Sequence, residues 1–405
     1  MTARTPASDV AIIGAGPSGA SAARLLALRG ARVRIFDASH PREKPCGGGV
    51  TARALELVGG AFDARSRASV AIHRARFAAS AAEYGAPVPP PATVDFDRPT
   101  DLIVTSRAHF DRELLRAACA AGAHHLPLRI REITRRNGGF RLTGANGEQH
   151  HAAFVVGADG ANSLVRRTLL APFRRDQLSI ATGFFAHGVT SNEIVIELTS
   201  SPPGYYWSFP RVDHLAIGVC AQADAGISSA ELRAAARRWI LESSLAPDAN
   251  LEPYAWPIPS LSQTDFRGLT VAGEGWALLG DAAGLVDPIT REGIFFALQS
   301  AHFLADALSS PDRSDPARRY HDRIHDVIAS ELGEAARLKA AFFRPRFMRL
   351  LIRALARSAG IRAVMTDLVA GQQTYRTLKR RLVSTFEWKL AWELLRSKDR
   401  PIETR

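Results

Sequence analysis

The sequence predicts an α/β fold that begins with a Rossmann-type nucleotide-binding domain. Residues 10–13 are a short apolar run of the kind that forms a buried parallel strand. The segment GAGPSG (residues 14–19) follows at once, and an Ala- and Leu-rich helix then leads into a second strand at residues 32–36. This order of strand, glycine-rich turn, helix and strand is typical of dinucleotide-binding domains.

The glycine-rich turn has the residues that a dinucleotide pyrophosphate requires. Its three glycines allow a tight turn, a close approach of the backbone to the phosphates and close packing of the helix on the strand. The N-terminus of the helix presents N–H groups and the positive end of the helix dipole. Asp37, 23 residues after Gly14, can accept a hydrogen bond from a ribose hydroxyl. The candidate cofactor-binding residues here are Gly14, Gly16, Pro17, Ser18, Gly19, Asp37 and Ala38.

Two later segments repeat the order of strand, glycine-containing turn and helix. FVVGADGANSLVRRTL (residues 154–169) has Asp159 in its turn, and GWALLGDAAGLVDPITREGI (residues 275–294) has Asp281 directly after its Gly280. An acid at this point of a fold can hold a sugar-like hydroxyl. The helix that begins near Gly293 can direct its N–H groups at the electron-rich edge of a ring.

These three segments, in this order, resemble the flavoprotein group related to para-hydroxybenzoate hydroxylase. The resemblance implies FAD as the cofactor, with Asp281 on the ribityl chain and the loop of residues 287–293 along the isoalloxazine ring. It implies a sheet inserted into the FAD domain, and it implies that Arg107, in VTSRAHFDRELLRAA (residues 104–118), contacts FAD. The candidate cofactor-binding residues that it adds are Arg107, Asp159, Gly280, Asp281, Pro288, Glu292, Gly293 and Ile294.

The segment KPCGGGV (residues 44–50) narrows the resemblance to the geranylgeranyl reductase family of FAD-dependent oxidoreductases. GYYWSFP (residues 204–210) and GDAAGLVDPITREGI (residues 280–294) are similar to two further segments of that family. The family saturates double bonds of polyprenyl chains, so the resemblance implies a long-chain isoprenoid substrate, as a diphosphate, a lipid or a quinone. Glycines let the backbone pass close to the flavin. The resemblance therefore adds Cys46, Gly47 and Gly48 to the cofactor-binding candidates.

Three residues are candidates for the chemistry itself: Cys46, Tyr205 and Trp207. An isolated alkene is a poor hydride acceptor, so hydride from flavin N5 must be accompanied by a proton, which Cys46, a water or a tyrosine could donate. A free cysteine can equally be an ordinary buried residue. Tyr205, Trp207 and Phe209 alternate along a predicted strand and so share one face. That face is either a wall for a long apolar chain or core packing.

The sequence departs from the family in two places. Gly218-Val219-Cys220 stands where the family has GxG, and Arg291 stands where its GEGI element begins with glycine. An arginine beside the flavin could pair with a diphosphate or a carboxylate, or could change how the reductant reaches the flavin. Both departures bear on the substrate more than on the chemistry.

Two other classes of function stay open. An FAD-dependent monooxygenase or halogenase would use oxygen on an aromatic or other hydrophobic substrate, and halogenases carry a segment related to YYWSFP. A non-enzymatic FAD-binding membrane protein that presents an isoprenoid is the third class, and the intact flavin motifs argue against it. The sequence has no second GxGxxG for a separate nicotinamide domain. We therefore expect the reductant to be NADPH at a transient site or a protein electron donor.

The domain organisation follows from these segments and from the strand-rich stretches between them. We expect a reduced, cytoplasmic protein without a metal site, because the sequence has no secretory signal and its three cysteines form no CxxC pair. The predicted parts are an FAD-binding domain of residues 1–70, 101–172 and 268–330, an antiparallel-sheet substrate domain of residues 71–100 and 173–267, and a basic C-terminal helical region of residues 331–405.

The C-terminal region carries most of the net charge of +12, since it contains 17 Lys and Arg against 7 Asp and Glu. Arginines recur every four residues from Arg349 to Arg357, and Phe347, Leu351 and Leu355 form an adjacent apolar stripe. Such a basic amphipathic helix suits a membrane surface, so we expect peripheral association with the inner face of the membrane. The alternative is a helical cover over the substrate channel. No nucleic-acid recognition motif accompanies the charge, so nucleic acid is not an expected partner.

Overall fold

The structure is a computed structural model that describes residues 8–79, 90–311 and 315–385. Parts of the predicted segments 1–70, 71–100, 268–330 and 331–405 lie outside these ranges. The strands are β1 Ser8–Ile13, β2 Val33–Phe36, β3 Gly49–Thr51, β4 Ser69–Ala71, β5 Arg74–Ala79, β6 Ala92–Asp95, β7 Leu102–Thr105, β8 His124–Leu126, β9 Ile130–Arg136, β10 Gly139–Gly144, β11 Gln149–Gly157, β12 Leu178–His187, β13 Glu193–Ser200, β14 Pro203–Pro210, β15 His214–Gln222, β16 Asn250–Pro259, β17 Ala272–Gly273 and β18 Trp276–Leu278.

The helices alternate with strands in the first three quarters of the chain and follow one another afterwards. They are α1 Pro17–Leu28, α2 Ala52–Val58, α3 Arg107–Ala120, α4 Leu164–Leu169, α5 Ser229–Glu242, α6 Gln263–Arg267, α7 Gly280–Ala283, α8 Ile294–Ser309, α9 Pro316–Arg323, α10 Ser330–Phe342, α11 Pro345–Arg357, α12 Ala359–Val369 and α13 Tyr375–Ser384. A π-helical segment, Ile324–Ala329, joins α9 to α10.

The first sheet is of the Rossmann type. Strands β18, β11, β1, β2 and β8 lie side by side and are parallel, and β17 is antiparallel at one edge. β9, β10 and β11 form an antiparallel meander whose last strand continues into the parallel sheet. α1 packs between α3 and α8. This topology brings the carboxyl ends of β1, β2 and β11 to one edge, where a dinucleotide binds in folds of this class.

The second sheet has seven strands in the order β16, β12, β15, β14, β13, β5, β6, and every pair is antiparallel except β13 with β5. Its strands come from residues 74–95 and 178–259. A third, small sheet consists of β3, β7 and β4, and in the sequence these strands flank β5 and β6. α5 covers one face of the second sheet. The predicted α/β fold with an inserted antiparallel sheet is confirmed, while the exact domain boundaries stay a prediction.

The C-terminal helices cover the other face of the second sheet. α11 buries Met348, Ile352 and Leu355 against it. Along the predicted apolar stripe, Phe347 is 38% exposed, Leu351 is half-buried and Leu355 is buried, so the stripe runs from the surface into the packing on the sheet. Two apolar rows lie side by side on this helix, and packing on the sheet selects the one that is buried. Within the described ranges, no helix has both the length and the apolar character that a membrane crossing requires.

Candidate active site

One large cavity lies between the two large sheets and the C-terminal helices. Its volume is about 1560 Å³. Sites for one drug-sized ligand usually measure about 300–1,000 Å³, so this cavity has room for a cofactor and a substrate together. The predicted site residues on its wall are Gly14, Gly16, Pro17, Ser18, Asp37, Ala38, Cys46, Gly47, Gly48, Arg107, Asp159, Tyr205, Trp207, Asp281, Glu292, Gly293 and Ile294. Gly19, Gly280 and Pro288 are not on that wall.

The glycine-rich turn after β1 needs its glycines for steric reasons. Gly14 has a φ of +103°, and a Cβ on it would lie 2.3 Å from the Ala158 carbonyl oxygen. A Cβ on Gly19 would lie 2.0 Å from the Gly14 carbonyl oxygen, so Gly19 serves the packing of α1 on the strand. A Cβ on Gly16 would meet nothing closer than 3.7 Å, which leaves its backbone bare toward the cavity. The turn and the start of α1 therefore fit a pyrophosphate.

Asp37 is fixed by hydrogen bonds from its own surroundings. Its carboxylate accepts from the Ala15 N–H at 2.9 Å and from the Ser39 N–H at 2.7 Å. The Nδ1 of His40 lies 2.7 Å from the same carboxylate. Burial opposes the negative charge, but His40 and the backbone donors hold the pKa of Asp37 far below its usual range. The carboxylate is therefore ionised on the cavity wall, as an acceptor for a ribose hydroxyl should be.

A buried row of charges continues from His40. Its Nε2 lies 3.2 Å from Asp111, and Arg107 donates to both oxygens of Asp111, from Nε at 3.0 Å and from Nη2 at 2.8 Å. Burial alone would lower the pKa of His40, yet its two carboxylate neighbours raise that pKa above the usual value. Arg107 therefore lies on the cavity wall, and its guanidinium makes a bidentate ion pair with Asp111. The sequence pointed to Arg107 and gave no role to His40.

Two glycines of the KPCGGGV segment lie against an aromatic ring of the second sheet, which leaves little room for side chains on them. Carbon atoms of the Phe209 ring would lie 3.1 Å from a Cβ on Gly47 and 3.2 Å from a Cβ on Gly49. Gly48 has a φ of +78°, and its N–H donates to the Sγ of Cys46 at 3.3 Å. Cys46 is half-buried on the cavity wall. The glycines therefore allow both the contact with the second sheet and the open space beside Cys46.

Arg211 ties the second sheet to this segment, and the sequence did not indicate it. Its side chain is fully buried, and it donates to the carbonyl oxygens of Cys46, at 2.9 Å, and of Thr105. It also pairs with Glu43 at 3.3 Å. Glu43 accepts from the Arg107 N–H at the start of α3 at 3.1 Å. Burial lowers the pKa of Arg211, which its partner Glu43 opposes. These partners are far apart in the chain, so no local pattern could reveal the role of Arg211.

The aromatic residues of β14 alternate between two environments. Tyr205, Trp207 and Phe209 share the face that lines the cavity. Tyr206 lies on the opposite face and stacks on Trp239 of α5, with ring centroids 5.3 Å apart. The aromatic wall predicted from the alternation is therefore present at the cavity, next to the KPCGGGV segment.

The loop of residues 287–293 is held from both sides. The Tyr205 hydroxyl donates to the Thr290 carbonyl oxygen at 2.7 Å. The Asp287 carboxylate accepts from two N–H groups of the loop and from the Tyr375 hydroxyl, the latter at 2.8 Å. Burial raises the pKa of Tyr205 well above its usual value. Tyr205 therefore positions this loop, and its proton is already engaged.

Asp281 and Glu292, two predicted cofactor contacts, are each paired with a cation. Lys44 of the KPCGGGV segment lies 3.0 Å from Asp281. Glu292 accepts from the Thr51 hydroxyl at 3.0 Å and pairs with Arg53. These ion pairs connect residues 44–53 to residues 281–292, which are two parts of the proposed flavin site.

The remaining predicted residues have structural contacts. Gly280 has a φ of +50° and donates its N–H to the Ser300 hydroxyl oxygen at 3.2 Å. The Pro288 carbonyl oxygen accepts from Arg291. The Asp159 carboxylate accepts from the first N–H of α4 at 2.6 Å, and burial raises the pKa of this carboxyl. Gly280 and Pro288 therefore shape the loops behind the wall.

The site has the features that FAD requires. The turn after β1 leaves its backbone bare, Asp37 is ionised, and Lys44 and Arg107 place positive charge on the same wall. A glycine-rich pyrophosphate site with a ribose-binding acid belongs to a dinucleotide-binding protein.

A family model described as the FAD binding domain matches residues 7–328. The chain belongs to this family, and the protein is an FAD-dependent oxidoreductase. It is 27% identical over 397 residues to the menaquinone reductase of Mycolicibacterium smegmatis, across 91% of this chain and 92% of that protein. It is 29% identical over 364 residues to the digeranylgeranylglycerophospholipid reductase of Methanothrix thermoacetophila, across 83% of this chain and 88% of that protein.

Solved structures share the fold. A geranylgeranyl bacteriochlorophyll reductase-like protein from Thermoplasma acidophilum superposes with a TM-score of 0.76 at 20% identity, across 94% of this chain and 99% of the other. The flavin-dependent brominase Bmp2 superposes with a TM-score of 0.70 at 18% identity, across 95% of this chain and 100% of the other. A reductase-like protein and a brominase thus share this fold, so the fold alone does not define the substrate.

Proposed function

We propose that the protein reduces carbon–carbon double bonds of a geranylgeranyl or longer polyprenyl chain. The observation that carries this proposal is the apolar part of the cavity, which runs from Cys46 between β14 and the C-terminal helices. Its apolar lining residues include Ala181, Ile194, Ile196, Leu198 and Ile258 of the second sheet and Leu351, Ala354, Ile361, Met365 and Leu368 of the helices. Apolar side chains on two sides of the cavity suit a hydrocarbon chain, whose burial is favourable along its whole length.

The residues around the cavity divide the work of binding and chemistry. The glycine-rich turn and Asp37 would hold the nucleotide end of FAD, and Lys44, Asp281 and the 287–293 loop would hold the flavin end. When bound, FAD supplies the hydride. Tyr205 and Trp207 would orient the alkene, since both lie on the aromatic wall.

Cys46 is our choice for the proton donor. Its Sγ accepts from the Gly48 N–H, which leaves the S–H bond free to donate toward the cavity. Tyr205 is the other nearby acid on this wall, but its proton is shared with the Thr290 carbonyl oxygen. A proton donor has to lie within hydrogen-bond reach of the carbon that receives the proton. Cys46 is the better candidate, because no described acceptor engages its proton, whereas that of Tyr205 is engaged.

We also propose that the mouth of the cavity meets a membrane surface. Phe347, Leu382 and Val383 line the cavity and are 38%, 38% and 62% exposed. Arg376 and Lys379 are exposed beside them on α13 and line the same cavity. Exposed apolar side chains next to cations suit the interface of an anionic bilayer, from which a prenyl chain could pass directly into the cavity.

Anaerobic single-turnover measurements test the function. FAD-loaded enzyme is reduced chemically, mixed with a geranylgeranyl substrate, and followed by flavin absorbance and by mass spectrometry of the product. We expect the flavin to reoxidise and the product to gain pairs of hydrogens. If reoxidation requires air, and an aromatic substrate then gains oxygen or halogen, the protein is a monooxygenase or halogenase instead. Repeating the reduction with NADPH alone tests whether NADPH is the reductant or a protein electron donor is needed.

A further inference from the structure

Arg291 lies on the wall of the cavity, and Lys339, which is not on that wall, shares a hydrogen-bond acceptor with it; the function proposed above gives neither side chain a role of its own. Arg291 donates from Nη1 to the Ser260 hydroxyl oxygen at 2.7 Å, and Lys339 donates from Nζ to the same oxygen at 2.8 Å. Ser260 in turn donates to the Gln222 side-chain oxygen at 3.1 Å, which also accepts from Lys339 at 2.6 Å. Two like charges therefore converge on one neutral hydroxyl.

This pair lacks a counter-ion. Among the described residues, neither Arg291 nor Lys339 lies within ion-pair distance of a carboxylate. The Asp287 carboxylate is nearby in the chain, but it is engaged by the loop N–H groups and by Tyr375. Burial, and then the charge of Arg291, lower the pKa of Lys339 to about 7. Like charges that share a partly buried site repel one another, and an anion between them would remove that cost.

The position of Arg291 supports a binding role. Its φ is +62°, a conformation that glycine adopts freely and arginine does not. Its side chain lines the cavity, and in the described structure its Nη2 makes no hydrogen bond. A strained backbone position that carries an arginine with a free donor group is better explained by a ligand than by packing. The planar guanidinium fork matches the oxygens of a phosphate group.

We infer that Arg291 and Lys339 form an anion subsite that takes the phosphate or diphosphate group of a prenyl substrate. The inference rests on the proposed function for the prenyl chain, and it adds that the head group is a phosphate-type anion. The subsite adjoins the apolar wall, because Cys220, Ile258 and Leu338 around it also line the cavity. A prenyl phosphate would then place its charge at Arg291 and its chain along the aromatic and aliphatic wall.

Equilibrium binding to the FAD-loaded, full-length protein tests the subsite. The probes are inorganic pyrophosphate, geranylgeranyl diphosphate, digeranylgeranylglyceryl phosphate and the neutral geranylgeraniol. We expect Arg291→Gly to weaken binding of the phosphate-bearing probes about tenfold or more, because it removes a charge-assisted hydrogen bond, and Lys339→Met to weaken it as well, because it removes the neighbouring positive charge. Geranylgeraniol should bind equally to all three proteins. The prenyl phosphate that binds more tightly indicates whether the natural head group is a free diphosphate or a glycerol phosphate.

Arg337→Ala is the matched control. Arg337 also lines the cavity, but its guanidinium is paired with Glu334 at 2.6 Å. Its loss should change phosphate binding by less than about twofold. FAD absorbance and thermal unfolding verify that each variant is folded, and Arg291→Gly should fold well because glycine suits the positive φ.

The outcomes separate the subsite from the proposed function. Pyrophosphate that binds to the wild type and to Arg291→Gly with the same affinity overturns the subsite. So does a wild type that binds geranylgeraniol as tightly as geranylgeranyl diphosphate, even if it reduces both. Pyrophosphate binding that depends on Arg291 and Lys339 supports the subsite even where no prenyl compound is reduced, and in that case the proposed function alone fails.

Discussion

The ring of Phe209 lies against the bare backbone of Gly47, 3.1 Å from the place where a Cβ would stand. Phe209 lies on β14 of the second sheet and Gly47 lies in the loop before β3, so this contact sets how closely the aromatic wall approaches the segment that contains Cys46. Arg211 holds the same segment through the Cys46 carbonyl oxygen. The proposed reacting region is therefore built where the second sheet contacts this loop, and small changes at the contact should have large effects.

Gly48→Ala should impair the protein more than Gly47→Ala. At Gly48 the φ is +78° and a Cβ would lie 2.4 Å from the Thr105 carbonyl oxygen, so both strain and a backbone clash arise. The strain alone costs about 1–2 kcal/mol. At Gly47 only the Phe209 ring has to shift. Urea unfolding and FAD titration of both variants measure the difference, and Gly47→Ala should be partly rescued by Phe209→Leu. A Gly48→Ala protein as stable as Gly47→Ala would contradict this account.

Cys46→Ala should slow reoxidation of the reduced flavin by the prenyl substrate about 10²- to 10⁴-fold, the usual contribution of a general acid. FAD binding should change little, because the flavin contacts proposed for this segment come from the Lys44 side chain and from the backbone of the glycines, which this substitution leaves in place. Stopped-flow absorbance under anaerobic conditions measures the rate. Cys119→Ala, which changes an exposed cysteine on α3, is the control. An undiminished rate in Cys46→Ala would move the proton donor to water or to another group.

His40 should make the stability depend on pH in a defined direction. Its pKa is raised in the folded protein, because Asp111 and Asp37 oppose the effect of burial. A group with a raised pKa contributes its full stabilisation below its unfolded pKa of about 6.5, and this contribution is lost as the pH rises through the folded pKa. The stability advantage of the wild type over His40→Gln should therefore shrink above about pH 6.5, by at most about 1.4 kcal/mol per pH unit.

Urea unfolding of both proteins between pH 6 and pH 9 would measure this difference. His124→Gln, at an exposed position, serves as the control. A difference between wild type and His40→Gln that grows with pH would show that His40 is not held by the two carboxylates.

The membrane proposal predicts a specific pattern of vesicle binding. Leu382→Ser with Val383→Ser should weaken partitioning onto anionic vesicles about tenfold or more, because it removes apolar area that would enter the interface. Leu241→Ser is the matched control, since Leu241 is 58% exposed on α5, which covers the opposite face of the second sheet. Cosedimentation at two salt concentrations measures the effect. Equal binding of both variants would place the contact elsewhere.

The sequence predicted those parts of the protein that depend on neighbouring residues. The turn after β1 and the shared face of Tyr205 and Trp207 follow from spacing within one element. Arg211 and Lys339 could not be found in this way, because their partners come from strands and loops far along the chain. Which of the two neighbouring apolar rows of α11 is buried could not be predicted for a related reason, since tertiary packing decides between them.

The match to the FAD-binding family ends at residue 328, while the helices that close the apolar cavity begin at residue 330. One side of the apolar cavity is therefore encoded after the stretch that matches the flavin-binding family, while the other side comes from the second sheet within that stretch. Exchange of the stretch after residue 330 between relatives could alter the accepted chain without rebuilding the flavin site. The helical side of the cavity could then vary independently of the residues that hold the cofactor.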